Sequence, residues 1–173
     1  SGNWSGWVDG INEHCTTQLS VPNHQTNNVR YINKSAYSND GVFAGQVDDF
    51  RIYNKVLSET EIKTLYNTAF ITTTQIDSEY KYITFKYGGN KIDNVKTNLI
   101  AHYKFDNDYN DYSGNNFNLV PIDSVNETVE FLAGVIDGAA SFNSSSDYLQ
   151  VSSEYITLTY KSYTISCWIK LLS

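Results

Sequence analysis

The chain has 173 residues, of which 40% are hydrophobic, 14% aromatic and only 18% charged. That composition can bury a core, which excludes wholesale disorder, and no apolar run approaches the ~18 residues of a membrane-spanning helix. A formal charge of −7 makes a nucleic-acid backbone or an anionic bilayer an unsuitable partner. No Met occurs, so the chain reads as a piece of a longer protein, and the lack of a leader carries no information.

Strand signals dominate. Residues 28–32, 47–53, 80–87, 99–105, 148–151, 155–160 and 163–171 are rich in β-branched and aromatic side chains, several with period-2 alternation. Polar clusters at Ser38–Gly41, Asp111–Asn115 and Asn143–Asp147 punctuate them as turns. One helix is predicted at Ser58–Asn67. Ser58-Glu-Thr-Glu61 has the form of a capping box, and Leu57 with Ile62 the spacing of a hydrophobic staple. Ile62, Leu65 and Tyr66 make a narrow apolar stripe, as on a short helix lying on a sheet. Residues 71–97 read as a connecting segment carrying one strand, Tyr80–Tyr87, stopped by Gly88-Gly89. Cys15 and Cys167 match no metal or redox spacing and are expected to be unpaired.

Gly45-Gln-Val-Asp-Asp-Phe-Arg-Ile-Tyr53, followed by Leu57-Ser-Glu-Thr-Glu-Ile62, resembles the closing strand and following helix start of laminin-G-like domains in the concanavalin A-like lectin/glucanase superfamily. Trp7-Val-Asp-Gly10 is similar to a hairpin of the same half. Leu99–Asp106, Asp111-Tyr-Ser-Gly-Asn115, Gly134–Asn143, Asp147–Val151 and Ser162–Lys170 resemble the opening half, in family order. The resemblance implies an all-β, antiparallel jelly-roll sandwich with one short helix.

The halves come in reversed order. Residues 1–70 are read as a closing half, 71–97 as a connector and 98–173 as an opening half, either of the next repeat or of the same domain if it is circularly permuted. The middle strands of the fold have no counterpart, and an incomplete sheet leaves unpaired edges. That favours a window on a tandem array, in which each half is completed by neighbouring segments or subunits.

No E-x-D-x-x-E spacing, the arrangement that glucanases of the superfamily resemble one another in, occurs here, and Asp48 and Asp49 are adjacent, so on a regular strand they point to opposite faces. The chain is therefore expected not to be an enzyme. Asp106-Asn-Asp-Tyr-Asn-Asp111 offers hard oxygen donors suited to calcium, although it is not an EF-hand loop, with Asp111 at position six and Phe117 at position twelve. The resemblance implies an ion shared by Asp106 with Asp48 or Asp49. The alternative is that Asp111 and Ser113 only cap a turn. Tyr37, Tyr109, Tyr112 and Tyr148 stand beside polar turn residues and are candidates for stacking on sugars, while Trp7, Tyr53 and Trp168 match core positions of the family. Asn3, Asn33, Asn126 and Asn143 open N-x-S/T glycosylation sequons. The expectation is a non-catalytic module that recognises a glycan or a surface protein, extracellular or surface-exposed. The second expectation is a structural repeat of an extracellular filament, appendage or virion shell.

Overall fold

The computed structural model describes residues 5–13, 31–34, 43–68, 74–75, 82–83, 95–122, 129–143, 147–151 and 162–171. In chain order the elements are β1 (Gly6–Val8), β2 (Ile11–Glu13), β3 (Tyr31–Ile32), β4 (Gly45–Tyr53), α1 (Glu59–Thr68), β5 (Thr74–Gln75), β6 (Tyr82–Ile83), β7 (Leu99–Tyr103), β8 (Leu119–Ile122), β9 (Glu130–Ala133), β10 (Gly138–Phe142), β11 (Tyr148–Val151) and β12 (Thr164–Leu171). They fall into two units, Ser1–Leu19 with Leu57–Thr97, and Ser20–Val56 with Asn98–Ser173.

In the first unit, β1 and β2 pair antiparallel through a two-residue turn. Asp9 and Gly10 both have positive φ, 50° and 72°, the pair of left-handed residues that a type I′ hairpin requires. A side chain at Gly10 would begin 3.1 Å from the Tyr66 ring, so the hairpin turn lies directly on α1. The capping box forms as expected: Ser58 Oγ accepts the Glu61 amide at 3.3 Å, and Glu61 Oε2 accepts the Ser58 amide at 2.9 Å. Leu57, just before the cap, is buried. Of the strand expected at 80–87, β6 is described and the rest lies outside the described residues, as does the stretch 155–160.

The second unit is an antiparallel β-sandwich, as the resemblance implied. A five-stranded sheet runs β12-β4-β10-β9, with β7 also paired to β4, and a three-stranded sheet runs β3-β11-β8. Val47, Ala101, Tyr103, Phe105, Ala140 and Phe142 from the larger sheet and its margins meet Leu119 and Leu149 from the smaller one in a single core. The strand of the first stretch, β4, is thus central among strands of the last.

One edge of β4 is covered along its length by β12, from Gly45↔Leu171 to Tyr53↔Thr164. The other edge is divided. β10 pairs with its N-terminal part, Ala140↔Val47 to Phe142↔Gly45, and β7 with its C-terminal part, Phe50↔Tyr103 to Tyr53↔Leu99. Where β7 leaves and β10 takes over, the backbones nearly touch: a Cβ on Gly138 would sit 2.4 Å from the Phe105 carbonyl oxygen. Opposite this junction β4 is bulged, with Asp49 and Phe50 facing the single residue Cys167. Asp49 has φ 49°, a left-handed first residue as in bulges that usually use glycine. Because the bulge inserts one residue, Val47 before it and Phe50 and Ile52 after it all face the core.

Gly138→Ala is expected to destabilise the second unit by more than about 2 kcal/mol, because a backbone carbonyl cannot yield as a flexible side chain can. Urea denaturation checks this, and an unchanged midpoint would mean that β7 and β10 do not approach so closely.

Candidate functional site

The bulge sends the two adjacent carboxylates to different partners. Asp48 is 2% exposed. Its Oδ2 accepts the amides of Val135 at 2.7 Å and Ile136 at 2.8 Å, fixing the turn between β9 and β10. Its Oδ1 is buried with no hydrogen-bond partner. Burial pushes this carboxyl up to about 6, against the pull of the Ile136 and Val135 amides, and the charges of Asp49 and Asp106 add repulsion. Asp106, three residues beyond β7, accepts the Gly138 amide at 2.9 Å, so both carboxylates hold the same 134–138 turn.

Asp49 is committed elsewhere. Its Oδ1 takes Arg51 Nη2 at 2.9 Å and Nε at 3.1 Å and lies 2.6 Å from His102 Nε2, and Oδ2 lies 2.8 Å from Arg51 Nη2. Arg51 and His102 are cross-strand partners, which puts them on one face of the sheet. Burial works against the Arg51 guanidinium, but the Asp49 carboxylate and Tyr53 together more than offset it and keep the group charged. The alternation argument made from sequence does not apply at a bulge: here the two acids are held apart by different partners, Asp48 by the 134–138 turn and Asp49 by Arg51 and His102.

These contacts test the expected calcium ligands. Asp48 and Asp106 fit the ion, since they are hard oxygen donors and one buried Asp48 oxygen is without a partner. Asp49 does not fit: its oxygens are taken by Arg51 and His102, and the guanidinium would repel a cation. Among the described residues no three His, Cys, Asp or Glu side chains gather around one point, so an ion here would draw most of its shell from carbonyls and water.

The loop from Lys104 to Ser113 carries the rest. Asp111 is a turn residue, accepting the amides of His102 at 3.0 Å, Ser113 at 2.9 Å and Phe117 at 3.1 Å, which is the turn-capping alternative noted from sequence. Tyr112 is 45% exposed. Its hydroxyl donates to Asp108 Oδ2 at 2.8 Å, a bond that raises the phenol's pKa. Lys104 Nζ lies 4.3 Å from its ring centre and His102 meets the ring edge-on. Asn110 donates to Asp108 at 2.9 Å. One exposed aromatic is therefore capped on one face by an ammonium and bordered by a carboxylate and a carboxamide.

The other tyrosines differ. Tyr109 donates its hydroxyl to the Val129 carbonyl at 2.6 Å and packs its ring 4.8 Å from Phe131 against the core. It lines a shallow depression of about 590 Å³ with Val129, Glu130, Phe131 and Leu132, and is held for packing. Tyr148, on the smaller sheet, meets Tyr31 edge-on at 5.3 Å, with Lys34 Nζ 4.0 Å over its ring. Tyr37 lies outside the described residues. Trp168, expected in the core, pairs with Asp48 on the face of β4 opposite to Val47.

The Cys167 thiol is free. Burial first, then the Asp49 charge, push it up to about 11, so it does not supply a thiolate at neutral pH. Cys15 lies outside the described residues. Of the sequons, Asn33 is built into the fold, its Nδ2 donating to the Asp147 carbonyl and its Oδ1 accepting the Phe43 amide, both at 2.9 Å. Asn143 is exposed, and Asn3 and Asn126 lie outside the described residues.

Residues 1–63 match a laminin-G model described as the concanavalin A-like lectin/glucanases superfamily. That stretch is laminin-G-like. The match takes in the Asp9-Gly10 hairpin, β4 with its bulge and the capped start of α1, and it agrees with the resemblance read from sequence for the closing half. No curated protein and no solved structure is significantly similar to the chain.

Asp48 gains its proton more readily in the folded chain than the ordinary 3.8 would allow, so folding is favoured by acid across that interval. In calcium-free buffer the wild type should lose roughly 1–3 kcal/mol relative to Asp48→Asn as pH rises from about 4 to about 6. Parallel denaturation curves across that range, with no change in the difference, would show that Asp48 ionises freely.

Proposed function

We propose that the laminin-G-like sandwich is a non-catalytic recognition module, extracellular or surface-exposed, that binds a glycan on a cell or particle surface through the Tyr112 loop. The observation that carries this is the exposed Tyr112 ring, oriented by Asp108, bordered by Asn110 and capped on one face by Lys104, which leaves the other face for a ligand. An aromatic face offers apolar contact to the C–H face of a sugar, and the polar rim can exchange hydrogen bonds with its hydroxyls. The superfamily match supports a carbohydrate- or protein-binding module. Its glucanase members are a poorer guide, because the Asp49 carboxylate is neutralised by Arg51.

Calcium is part of the reading. Asp48 and Asp106 would hold the ion, which would neutralise two neighbouring carboxylates and stiffen the 134–138 turn and the start of the Tyr112 loop together. Tyr112 already senses the Asp106 charge, so the two parts of the surface are electrostatically linked. No helix among the described residues is long and apolar enough to cross a membrane.

Two measurements test the reading. Millimolar Ca²⁺, but not Mg²⁺, should raise the melting temperature by a few degrees, and Asp106→Asn should remove that rise. On a glycan array, wild type should retain at least one sugar class, and Tyr112→Ala should weaken it tenfold or more with melting unchanged. Retention of nothing, with calcium or with chelator, would sink the glycan assignment.

A further inference from the structure

The smaller sheet carries a second group of aromatic and polar side chains, on the side away from the core. Leu149 is fully buried, so its neighbours on β11, Tyr148 and Gln150, point outward. Gln150 lies opposite Tyr31 on β3 and opposite Val120 on β8, and Tyr148 lies opposite Ile122. Directly opposed residues share a face. Val120 is 39% exposed, so the face meets solvent at β8. The Tyr31 and Tyr148 rings stand edge to face, 5.3 Å between centres and 86° between planes. Into that corner comes the ammonium of Lys34, 4.0 Å from the centre of the Tyr148 ring and 5.2 Å from that of Tyr31. The backbone on both sides of the corner is fixed. Asn33, left-handed at φ 69°, donates to the carbonyl of Asp147, the residue before Tyr148.

We propose that this outer face is a second sugar site, separate from the Tyr112 loop, which takes an acidic sugar such as a uronic or sialic acid. Its carboxylate pairs with Lys34, its pyranose ring covers the tyrosine pair, and Gln150 exchanges hydrogen bonds with its hydroxyls. Charge selects the acid. Acidic residues outnumber Lys and Arg by 19 to 12, yet among the described residues Lys34 has no carboxylate partner. Nor do the outward side chains Tyr31, Val120, Ile122, Tyr148 and Gln150 include one. An exposed ammonium is held only weakly by aromatic rings, so Lys34 can leave Tyr148 for a carboxylate at little cost. That movement uncovers the ring face on which the pyranose then rests, and Lys34 is both cover and anchor.

Other occupants use less of the face. A neutral sugar leaves the ammonium without a partner, and a bare anion leaves both rings uncovered. An acidic peptide added as a strand needs the amides and carbonyls of a sheet edge, whereas this face offers side chains alone. A pyranose with a carboxylate at its rim meets the rings, the ammonium and the carboxamide together.

Amide NMR of the full chain tests this with two probes, sialyllactose and a tetrasaccharide of alternating glucuronic acid and N-acetylglucosamine. At least one should give saturable shifts at Tyr31, Lys34, Tyr148 and Gln150. Reducing its carboxyl to an alcohol should weaken binding by about fivefold, and Lys34→Gln should do the same with melting temperature unchanged, while Lys34→Arg retains it. Added salt should weaken the acidic probe and leave the reduced one unaffected. Equal binding of the reduced probe, or by Lys34→Gln, would overturn the proposal, as would no shift at millimolar concentration of either probe. Shifts confined to residues 104–113 would also overturn it, while leaving the Tyr112 reading in place.

Discussion

One residue of extra backbone in β4 decides how the second unit is built. With regular alternation through Asp48 and Asp49, Asp49 and Arg51 would turn into the core and Phe50 and Ile52 would leave it. The bulge resets the phase. A left-handed conformation is costly for most L-residues and less so for Asp, and here the Asp49 side chain is also held by Arg51 and His102. His102 comes from β7, so the bulge is stabilised by a strand about fifty residues further along the chain. Apolar phase and ionic contact enforce the same geometry, which explains why a strained residue persists in the middle of a nine-residue strand.

From that strand the division of labour follows. Because β12 takes the whole of one edge, two strands must share the other, and their junction has to be sealed. Gly138 permits the close backbone approach, and Asp48 and Asp106 absorb the amides of the turn that precedes β10. β4 consequently contributes to the core from between strands that come much later in sequence. A chain lacking β4 would open the larger sheet at its centre and expose Val47's neighbours Ala140 and Phe142. Folding of this unit depends on contacts of long sequence separation, which is the slow and cooperative regime.

Local devices were legible in the sequence and cross-strand devices were not. The capping box at Ser58, the Asp9-Gly10 hairpin and the strand around Ile52 each rest on spacings within a few residues, and each stands as read. The Asp111 turn was readable for the same reason, as one of two alternatives. The bulge was not, because it exists only in the pairing of Asp49 and Phe50 against Cys167. Tyr109 and Tyr112 have similar polar neighbours, yet Val129, twenty residues on, claims the Tyr109 hydroxyl, and nothing local announces it. Trp168 was expected in the core because it matches a core position of the resembled family. The register that places it opposite Asp48 also leaves Ile165 and Ile169, 52% and 61% exposed, on the core side, and alternation alone cannot distinguish a covered face from an open one.

The buried Asp48 oxygen without a partner is a costly feature of this fold, and its surroundings explain why it is not simply relaxed away. Phe105, Asn107 and Asp137 join Asp49 in the left-handed region, with φ of 62°, 64°, 58° and 49°, and they flank Asp106 and the 134–138 turn. For a bulky side chain such as Phe105 that conformation is strained, and it is held by complete burial in the core. Rotating Asp48 to relieve Oδ1 would release the Val135 and Ile136 amides, and moving the turn would drive Gly138 into the Phe105 carbonyl. Packing therefore fixes the two carboxylates in place independently of any ion. A cation arriving there would meet donors already ordered, so its binding would forfeit little conformational entropy, and it would relieve chiefly the burial of the Asp48 charge, with the repulsion from Asp49 and Asp106 adding to it.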